Sequence, residues 1–306
     1  MSPRTRRIAV VGALAAGAAL GLAIHACGER LASMSAGRFA ARAASRVALF
    51  SPAAVEIVFA LGAGPKVVGV TRYAVRPPEA GELPDIGGFT DMNLERLAVL
   101  KPDLIVTQGT SEPLAGFCAS RGIRLLVLRI ETVADVLSAC RELGRQVGAA
   151  QEGERLAALI GAELESVRRG VAGLPKVPCF LSVDRSAGSL RGLLTAGRDT
   201  FLTELTDAAG GRNVFADMGQ LYPIVSKEAL LARAPEVVVE LKPGGAAADE
   251  AALTADWRDM AGLPAVANAR ISVVTRADAL LPGVGLGGLA RTLAAILHPE
   301  AMPHVR

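Results

Sequence analysis

The sequence has little of the side-chain chemistry on which most enzymes depend. Its only histidines are His25, His298 and His304, which lie near the two ends of the chain. A zinc site built on histidine, or a Ser-His-Asp or Cys-His catalytic arrangement, needs histidine within the folded body. No Gly-x-x-x-x-Gly-Lys-Ser/Thr or Gly-x-Ser-x-Gly motif occurs either. We therefore predict a protein that is not an enzyme and that has no resident metal or cofactor.

The chain after residue 26 has a formal net charge of zero. The formal charge is +3, and Arg4, Arg6 and Arg7 account for all of it, since residues 1–26 contain no acid. Binding to nucleic acid draws on a surplus of basic side chains that displaces counterions from phosphates. The rest of the chain has no such surplus, so we predict no nucleic-acid partner.

Aromatic residues make up 4% of the chain, whereas 51% of its residues are hydrophobic. This composition is typical of an α/β protein with an aliphatic core, not of a disordered or fibrous chain. The length of 306 residues is enough for two domains with cores of their own.

The first residues, MSPRTRRIAVVGALAAGAALGLAIHAC, combine basic residues with a long apolar run. This pattern predicts an export signal over residues 1–26. An uncleaved membrane anchor is the alternative, because the run approaches the ~20 residues that a membrane span requires. Cys27 follows Ile-His-Ala, which resembles a bacterial lipoprotein cleavage site, so Cys27 is a candidate lipid anchor, followed by a tether over residues 27–45.

The remaining cysteines are Cys118, Cys140 and Cys179, an odd number without Cys-x-x-Cys spacing. One disulfide among them is possible in an exported protein. The alternative is that all three are buried as small apolar side chains.

From residue 46 onwards, short β-branched runs alternate with helical patterns, which predicts parallel sheets with right-handed crossovers. We predict an N-terminal lobe over 46–149, a single long α-helix over 150–173 that joins the lobes, and a C-terminal lobe over 174–306. The predicted strands are 46–50, 66–70, 103–107 and 124–129 in the first lobe and 177–183, 236–241 and 271–275 in the second. Helices are predicted to start at Ser51, Asn93, Glu112, Asp199 and Ser226.

The two lobes contain similar stretches of sequence. Residues 93–97 align with residues 226–230 at an offset of 133, and the same offset places a Pro, an acid and three aliphatic residues of each lobe over one another. A second match has an offset of 148 and aligns Ser51 with Asp199 and Gly62 with Gly210. These matches predict two related halves.

Glu95 and Glu228 occupy the same position in these aligned stretches, in the first turn of a helix and away from its apolar side. One interpretation is local, since an acid in the first turn stabilises the helix dipole by about 0.3–1 kcal/mol. The other is that one exposed carboxylate in each lobe contacts a second protein with twofold symmetry.

The segment Gly283–Gly288 matches the Gly-x-Gly-x-x-Gly fingerprint of dinucleotide sites. No strand directly precedes it, and too little chain follows for the ribose-binding acid. We interpret it as the start of the last helix. A nucleotide-binding α/β enzyme is the alternative.

The segments FSPAAVEIVFALGAGPKVVGVTRYAVRPPEA, DIGGFTDMNLERLAVLKPDLIVTQ and LYPIVSKEALLARAPEVVVEL resemble the periplasmic substrate-binding proteins of ABC importers for vitamin B12 and iron-siderophores. The resemblance implies two Rossmann-like lobes joined by one long helix. It also implies that a corrinoid or ferric siderophore is captured between the lobes. The resemblance further implies that the protein delivers this ligand to an ABC permease dimer. It implies a location in the periplasm or at the outer face of the cytoplasmic membrane. A ligand-sensing module of the same fold is a further alternative.

Site residues follow from this resemblance. Glu95 and Glu228 match glutamates that meet arginines on the two permease copies, and the ligand-facing positions match Tyr73, Phe89, Tyr222 and Asp278. Five arginines are predicted in or near the loops around the ligand. Because a guanidinium binds carboxylates well, these arginines suit an anionic siderophore. They are Arg72, Arg185, Arg191, Arg198 and Arg276.

Overall fold

The computed structural model describes residues 42–74, 76–244 and 247–301. The predicted export signal (1–26), Cys27 and most of the predicted tether lie outside these residues. The chain divides into two compact units. Unit 1 consists of the described residues up to Ile130 together with Ala134–Ile160, and unit 2 consists of Glu131–Val133 and the residues from Gly161 onwards.

Unit 1 is built on a four-stranded parallel sheet with the strand order β2-β1-β3-β4. Its strands are β1 (Val47–Leu49), β2 (Val67–Val70), β3 (Leu104–Thr107) and β4 (Arg124–Val127), and the helices around them are α1 (Pro52–Ala60), α2 (Leu94–Leu100), α3 (Glu112–Arg121) and α4 (Val133–Gln146). Short 3₁₀ turns cover Gly64–Lys66 and Pro78–Glu82.

Two helices of unit 1, α1 and α3, begin where the sequence supplies a serine cap and a proline in the first turn. Ser51 Oγ accepts a hydrogen bond from the Ala54 backbone N–H (3.3 Å), and Ser111 Oγ accepts one from the Leu114 N–H (3.4 Å). Proline fits the start of a helix because its missing N–H would have no partner there. All four residues of β3 are buried, so this strand lies at the centre of the unit's core.

Unit 2 contains a second four-stranded parallel sheet, with the order β7-β5-β9-β10, and a small antiparallel pair, β6-β8. The strands are β5 (Val177–Ser182), β6 (Leu193–Leu194), β7 (Gly211–Asn213), β8 (Ile224–Val225), β9 (Val237–Leu241) and β10 (Ile271–Val274). The helices are α6 (Phe201–Ala208), α7 (Lys227–Arg233), α8 (Ala247–Asp256), α9 (Pro264–Ala267) and α10 (Leu286–Leu297), with a 3₁₀ turn at Trp257–Met260.

The core of unit 2 contains a cluster of three aromatic side chains, Phe180, Phe215 and Trp257. Phe180 packs edge-on against Phe215 and against Trp257, with ring centroids 5.7 and 5.9 Å apart. Such T-shaped pairs add a small stabilisation beyond the buried area.

Apart from the β6-β8 pair, the two sheets have the same order of strands along the chain. The first strand of each sheet has the second on one side and the third on the other, and the fourth lies beyond the third. The predicted α/β class, the parallel sheets and the two related halves are therefore confirmed.

Helix α5 (Ala150–Gly170) is the predicted long helix, and the division between the units falls within it, after Ile160. It starts two residues after Gly148, which has a φ of 74°, and ends before Gly173, which has a φ of 80°. Such angles favour glycine, which explains why the helix is bounded at these points. The helix is three residues shorter than the predicted range of 150–173.

The predicted starts of the first lobe and of one helix also differ from the structure. The predicted tether reaches residue 45, yet the Ala44 N–H donates to Gln146 O (2.7 Å) and Ser45 donates through N and Oγ to Asp103 (2.9 and 2.7 Å). Unit 1 therefore includes these residues. Helix α6 is capped by Thr200, one residue after the predicted Asp199, which has a φ of 60°.

No helix among the described ranges is long and apolar enough to cross a membrane.

Candidate functional site

Glu95 stands on a short helix whose start is held as the sequence predicts. Asn93 Oδ1 accepts a hydrogen bond from the Arg96 backbone N–H (2.8 Å), so Asn93 is the N-cap of α2. Leu97 is buried in the core, and Glu95 is exposed on the other side. The helix ends at Lys101, which has a φ of 48°.

Glu228 has the same setting in unit 2. Ser226 Oγ accepts a hydrogen bond from the Ala229 N–H (3.1 Å) and caps α7, whose Leu230 is buried while Glu228 is exposed. Hydrogen bonds from its own backbone N–H and from the Ser226 side chain lower the pKa of Glu228. This carboxylate is therefore ionised at neutral pH.

The offset of 133 found in the sequence holds throughout these two helices and the strands that follow. Helix α2 covers 94–100 and α7 covers 227–233, and the residue after each adopts a positive φ (48° and 43°). Each is followed by a proline and then by a buried strand that starts at the same register. The two glutamates thus occupy equivalent positions of equivalent helices.

Arg72 lies in an open, polar depression beside Glu95, where it pairs with two carboxylates. Its Nη2 is 2.9 Å from Asp91 Oδ2, and its Nε is 3.9 Å from Asp85 Oδ2. The depression has a volume of about 470 Å³ and is lined by Arg72, Asp85, Gly87, Asp91, Met92, Asn93, Leu94, Glu95 and Arg96.

Tyr73 and Phe89 are the two aromatic residues of unit 1 that were predicted to contact the ligand, and each ring packs against a glycine. A Cβ on Gly88 would lie 2.9 Å from Tyr73 Cε2, and a Cβ on Gly109 would lie 3.0 Å from Phe89 Cζ. Both rings are partly exposed. Glycine at positions 88 and 109 therefore lets each ring lie close against the backbone while part of it stays open to a ligand.

Arg185 is enclosed in the core of unit 2. Its Nε donates to Glu240 (2.9 Å to Oε1), its Nη1 donates to Asp256 Oδ2 (2.8 Å) and Ser189 O (3.0 Å), and its side chain is 1% exposed. Trp257 Nε1 donates to the same Glu240 (2.9 Å). This placement argues against the predicted ligand role of Arg185, because its donors are already used inside the fold.

Tyr222 and Asp278 both lie in unit 2, where Tyr222 is partly exposed and Asp278 is buried. Burial around the Tyr222 hydroxyl, together with the nearby negative charge of Glu131, raises the pKa of this phenol, which keeps it neutral. Asp278 is 5% exposed and accepts two hydrogen bonds from Arg276, from Nε to Oδ1 (3.0 Å) and from Nη2 to Oδ2 (2.6 Å). Its carboxylate therefore binds a protein guanidinium.

Two further arginines predicted near the ligand are exposed. Arg198 donates through Nη2 to the Asp217 carbonyl (3.0 Å), and Arg191 is exposed in the turn before β6.

The glycine-rich segment is filled by side chains of the protein itself. A Cβ on Gly285 would lie 2.1 Å from Asp278 Oδ2, and one on Gly287 would lie 1.9 Å from Glu163 Oε2. These carboxylates occupy the space where a nucleotide phosphate would approach the backbone, and their charge would repel it. The segment opens α10, as predicted, and the nucleotide alternative gains no support.

The three described cysteines are free and buried. Burial raises the pKa of the Cys118 thiol to about 11 and those of Cys140 and Cys179 to about 12. They are therefore inert apolar groups, and the disulfide alternative is wrong. The described ranges also hold no group of three or more His, Cys, Asp or Glu side chains that could hold a metal ion.

Comparison with known proteins gives a consistent result. Residues 47–277 match the family model described as periplasmic binding protein. The vitamin B12-binding protein of Salmonella typhimurium is 30% identical over 226 residues, which cover 73% of this chain and 81% of that protein.

Two solved structures are similar over most of the chain. The periplasmic vitamin B12 binding protein BtuF of Vibrio cholerae has a TM-score of 0.70 at 25% identity and covers 83% of this chain and 96% of its own. The periplasmic heme-binding protein RhuT from Roseiflexus sp. RS-1 has a TM-score of 0.69 at 27% identity, with coverages of 84% and 99%.

Proposed function

Since this chain belongs to the periplasmic binding protein family, among the substrate-binding proteins of ABC importers for vitamin B12 and iron-siderophores, we propose that it captures a metal chelate outside the cytoplasmic membrane and delivers it to an importer permease. The chelate is a corrinoid, a haem or a ferric siderophore. The protein is exported and works in the periplasm or at the outer face of the membrane, with Cys27 as its lipid anchor. The relatives are binding proteins, and this chain acts as one, without covalent chemistry.

The observation that carries this proposal is the pair of exposed glutamates. Glu95 and Glu228 have the same position on helices of the same length, each in its own unit and each with its helix held by a side-chain cap. A first-turn acid needs no such repetition to stabilise a single helix. Two equivalent carboxylates suit a permease dimer that presents the same basic group twice.

The ligand residues that we propose lie in loops at the carboxyl ends of the sheets, where open α/β folds bind ligands. In unit 1 the partly exposed rings of Tyr73 and Phe89 offer an apolar surface for a flat chelate, and Arg72 offers a charge beside them. In unit 2 the neutral Tyr222 phenol is available as a hydrogen-bond donor.

Charge reversal tests the docking role. We expect Glu95→Lys and Glu228→Lys each to weaken binding to the permease dimer in nanodiscs roughly 10-fold, because each places a like charge against a basic group. Affinity for the chelate should be unchanged.

Glu112→Lys is the matched control, because Glu112 is also an exposed first-turn acid, in α3. An equal loss with this control, or a loss of chelate binding in the two docking variants, would contradict the docking role. A protein that binds chelate but never the permease would favour the ligand-sensing module.

A further inference from the structure

Arg276 stands two residues after the carboxyl end of β10, in the region of a parallel sheet where ligands bind. Its side chain is 36% exposed, whereas that of its partner Asp278 is 6% exposed. The acid is therefore enclosed by the protein, and the guanidinium is the group that reaches the surface.

The hydrogen bonds between these two residues use one particular edge of the guanidinium. Asp278 accepts from Nε (3.0 Å) and from Nη2 (2.6 Å), which together form the side edge of the group. A guanidinium has five N–H donors and a second edge, formed by Nη1 and Nη2, that can also hold a carboxylate. Within the described part of the chain, Nη1 donates to no protein acceptor.

Two glycines allow the pair to lie against the first turn of α10. A Cβ on Gly285 would lie 2.1 Å from Asp278 Oδ2. A Cβ on Gly288 would lie 2.8, 3.0 and 3.2 Å from Nη2, Nη1 and Cζ of Arg276. These three distances are similar, so the guanidinium lies over the Gly288 backbone. The glycine-rich segment thus leaves room for the Arg276 side chain to pack against its backbone.

We propose that the free edge of Arg276 binds a carboxylate of the captured chelate, and that Asp278 is a positioning residue that fixes the direction of this edge. The inference rests on the proposed function and names its substrate class: a chelate that carries carboxylates, and not one whose rim carries only amides or esters. Because Arg276 and Asp278 together are neutral, recognition depends on two directed donors more than on net charge.

Two other arginines that were predicted near the ligand do not offer the same arrangement. Arg185 has its donors taken by Glu240, Asp256 and two backbone carbonyls. Arg72 lies between two carboxylates in the depression beside Glu95.

The test uses three pairs of probes titrated by calorimetry into the purified protein: haem and haem dimethyl ester, cobyric acid and cobinamide, and a ferric carboxylate siderophore and a ferric hydroxamate siderophore. The first member of each pair carries carboxylates that the second lacks. We expect the tightest probe to be a first member, bound roughly 10- to 100-fold more tightly than its pair, as for a hydrogen bond to a charged group.

Two variants connect this preference to the side chains. Arg276→Gln should remove the preference within the pair and leave the affinity for the second member unchanged. Asp278→Asn should reduce the preference without removing it, because the donors remain but their direction is less fixed. A merely structural role of Asp278 would instead weaken both members of the pair equally.

Gly288→Ala moves the guanidinium without changing any charge. The new Cβ would collide with Arg276, so affinity for the carboxylate probe should fall several-fold, while thermal stability stays the same or rises because alanine favours a helix. Gly161→Ala is the matched control, since a Cβ at this helical glycine of unit 2 meets nothing within 4 Å.

The outcomes separate the inference from the proposed function. If a chelate binds but the acid and the ester or amide bind alike, or if Arg276→Gln leaves their difference intact, the inference about the carboxylate is wrong and the proposed function stands. If cyanocobalamin binds but no probe of any pair does, the inference is wrong and the proposed function stands; if cyanocobalamin fails to bind as well, both are wrong.

Discussion

The two units have the same strand order and the same short glutamate helix, yet they differ at one equivalent position. The offset of 133 pairs Thr107, the last residue of β3, with Glu240 in β9. Thr107 is fully buried and its Oγ1 accepts a hydrogen bond from the Gly109 N–H (3.4 Å). Glu240 is equally buried but binds Arg185 and Trp257.

This difference separates what the units share from what each does alone. The sheets and the short glutamate helices α2 and α7 repeat, which suits the dimeric partner of the proposed function. The carboxyl ends of the sheets do not repeat, which suits a single small ligand without twofold symmetry. Unit 1 leaves two aromatic rings partly open there, whereas unit 2 encloses a charged cluster and exposes Arg276.

The largest expected effect tests the charged cluster of unit 2. Arg185→Ala leaves Glu240 buried without its cation, so we expect a loss of about 3–5 kcal/mol in the free energy of unfolding, measured in urea. Thr107→Val, at the position of unit 1 that is equivalent to Glu240, should cost much less, since it removes one weak hydrogen bond.

A double replacement tests the cause of that loss. Arg185→Met combined with Glu240→Leu should recover a large part of the stability, because a buried ion pair replaced by apolar groups is often neutral. A loss below about 1 kcal/mol for Arg185→Ala would show that the cluster contributes little to the free energy of unfolding. The two units would then differ at this position in sequence but not in stability.

A smaller effect is expected where the units are alike. Asn93→Ala and Ser226→Ala remove the N-caps of α2 and α7, and each should cost about 1 kcal/mol of unfolding free energy. Equal losses would support the equivalence of the two helices. A loss at one cap alone would mean that only one of these helices depends on its cap.

The smallest effect concerns Tyr222 and appears only at high pH. Its raised pKa means that the folded state favours the neutral phenol, so its contribution to stability is present below the ordinary tyrosine pKa of about 10 and is lost as the pH rises above that value. Tyr222→Phe should therefore flatten the fall in stability on the alkaline side. An unchanged alkaline profile in this variant would contradict the burial of the hydroxyl.

The sequence predicts the structure best where local signals agree with the fold. Strands β3 and β9 each begin with three aliphatic residues after Lys-Pro-Asp and Ala-Pro-Glu, and both were predicted to within one residue. The caps Asn93 and Ser226 were predicted as well, because a side-chain oxygen before an apolar helix has a local reason to be there.

Tertiary contacts account for what the sequence did not reveal. The partners of Arg185 lie 55 and 71 residues further along the chain, so its burial leaves no local pattern. The two-residue strands β6 and β8 are too short to show a period. Asp278 was predicted to be a ligand acid because it matches a ligand-facing position of the family. Its hydrogen bonds to Arg276 depend on side-chain geometry that the sequence does not show.

The central claim is that this chain captures a metal chelate, and calorimetric titration of the purified protein with cyanocobalamin, haem and ferric siderophores tests it most directly. We predict that one class binds in a 1:1 complex with a Kd on the order of 1 µM or tighter. Absence of binding to all three classes would contradict the claim.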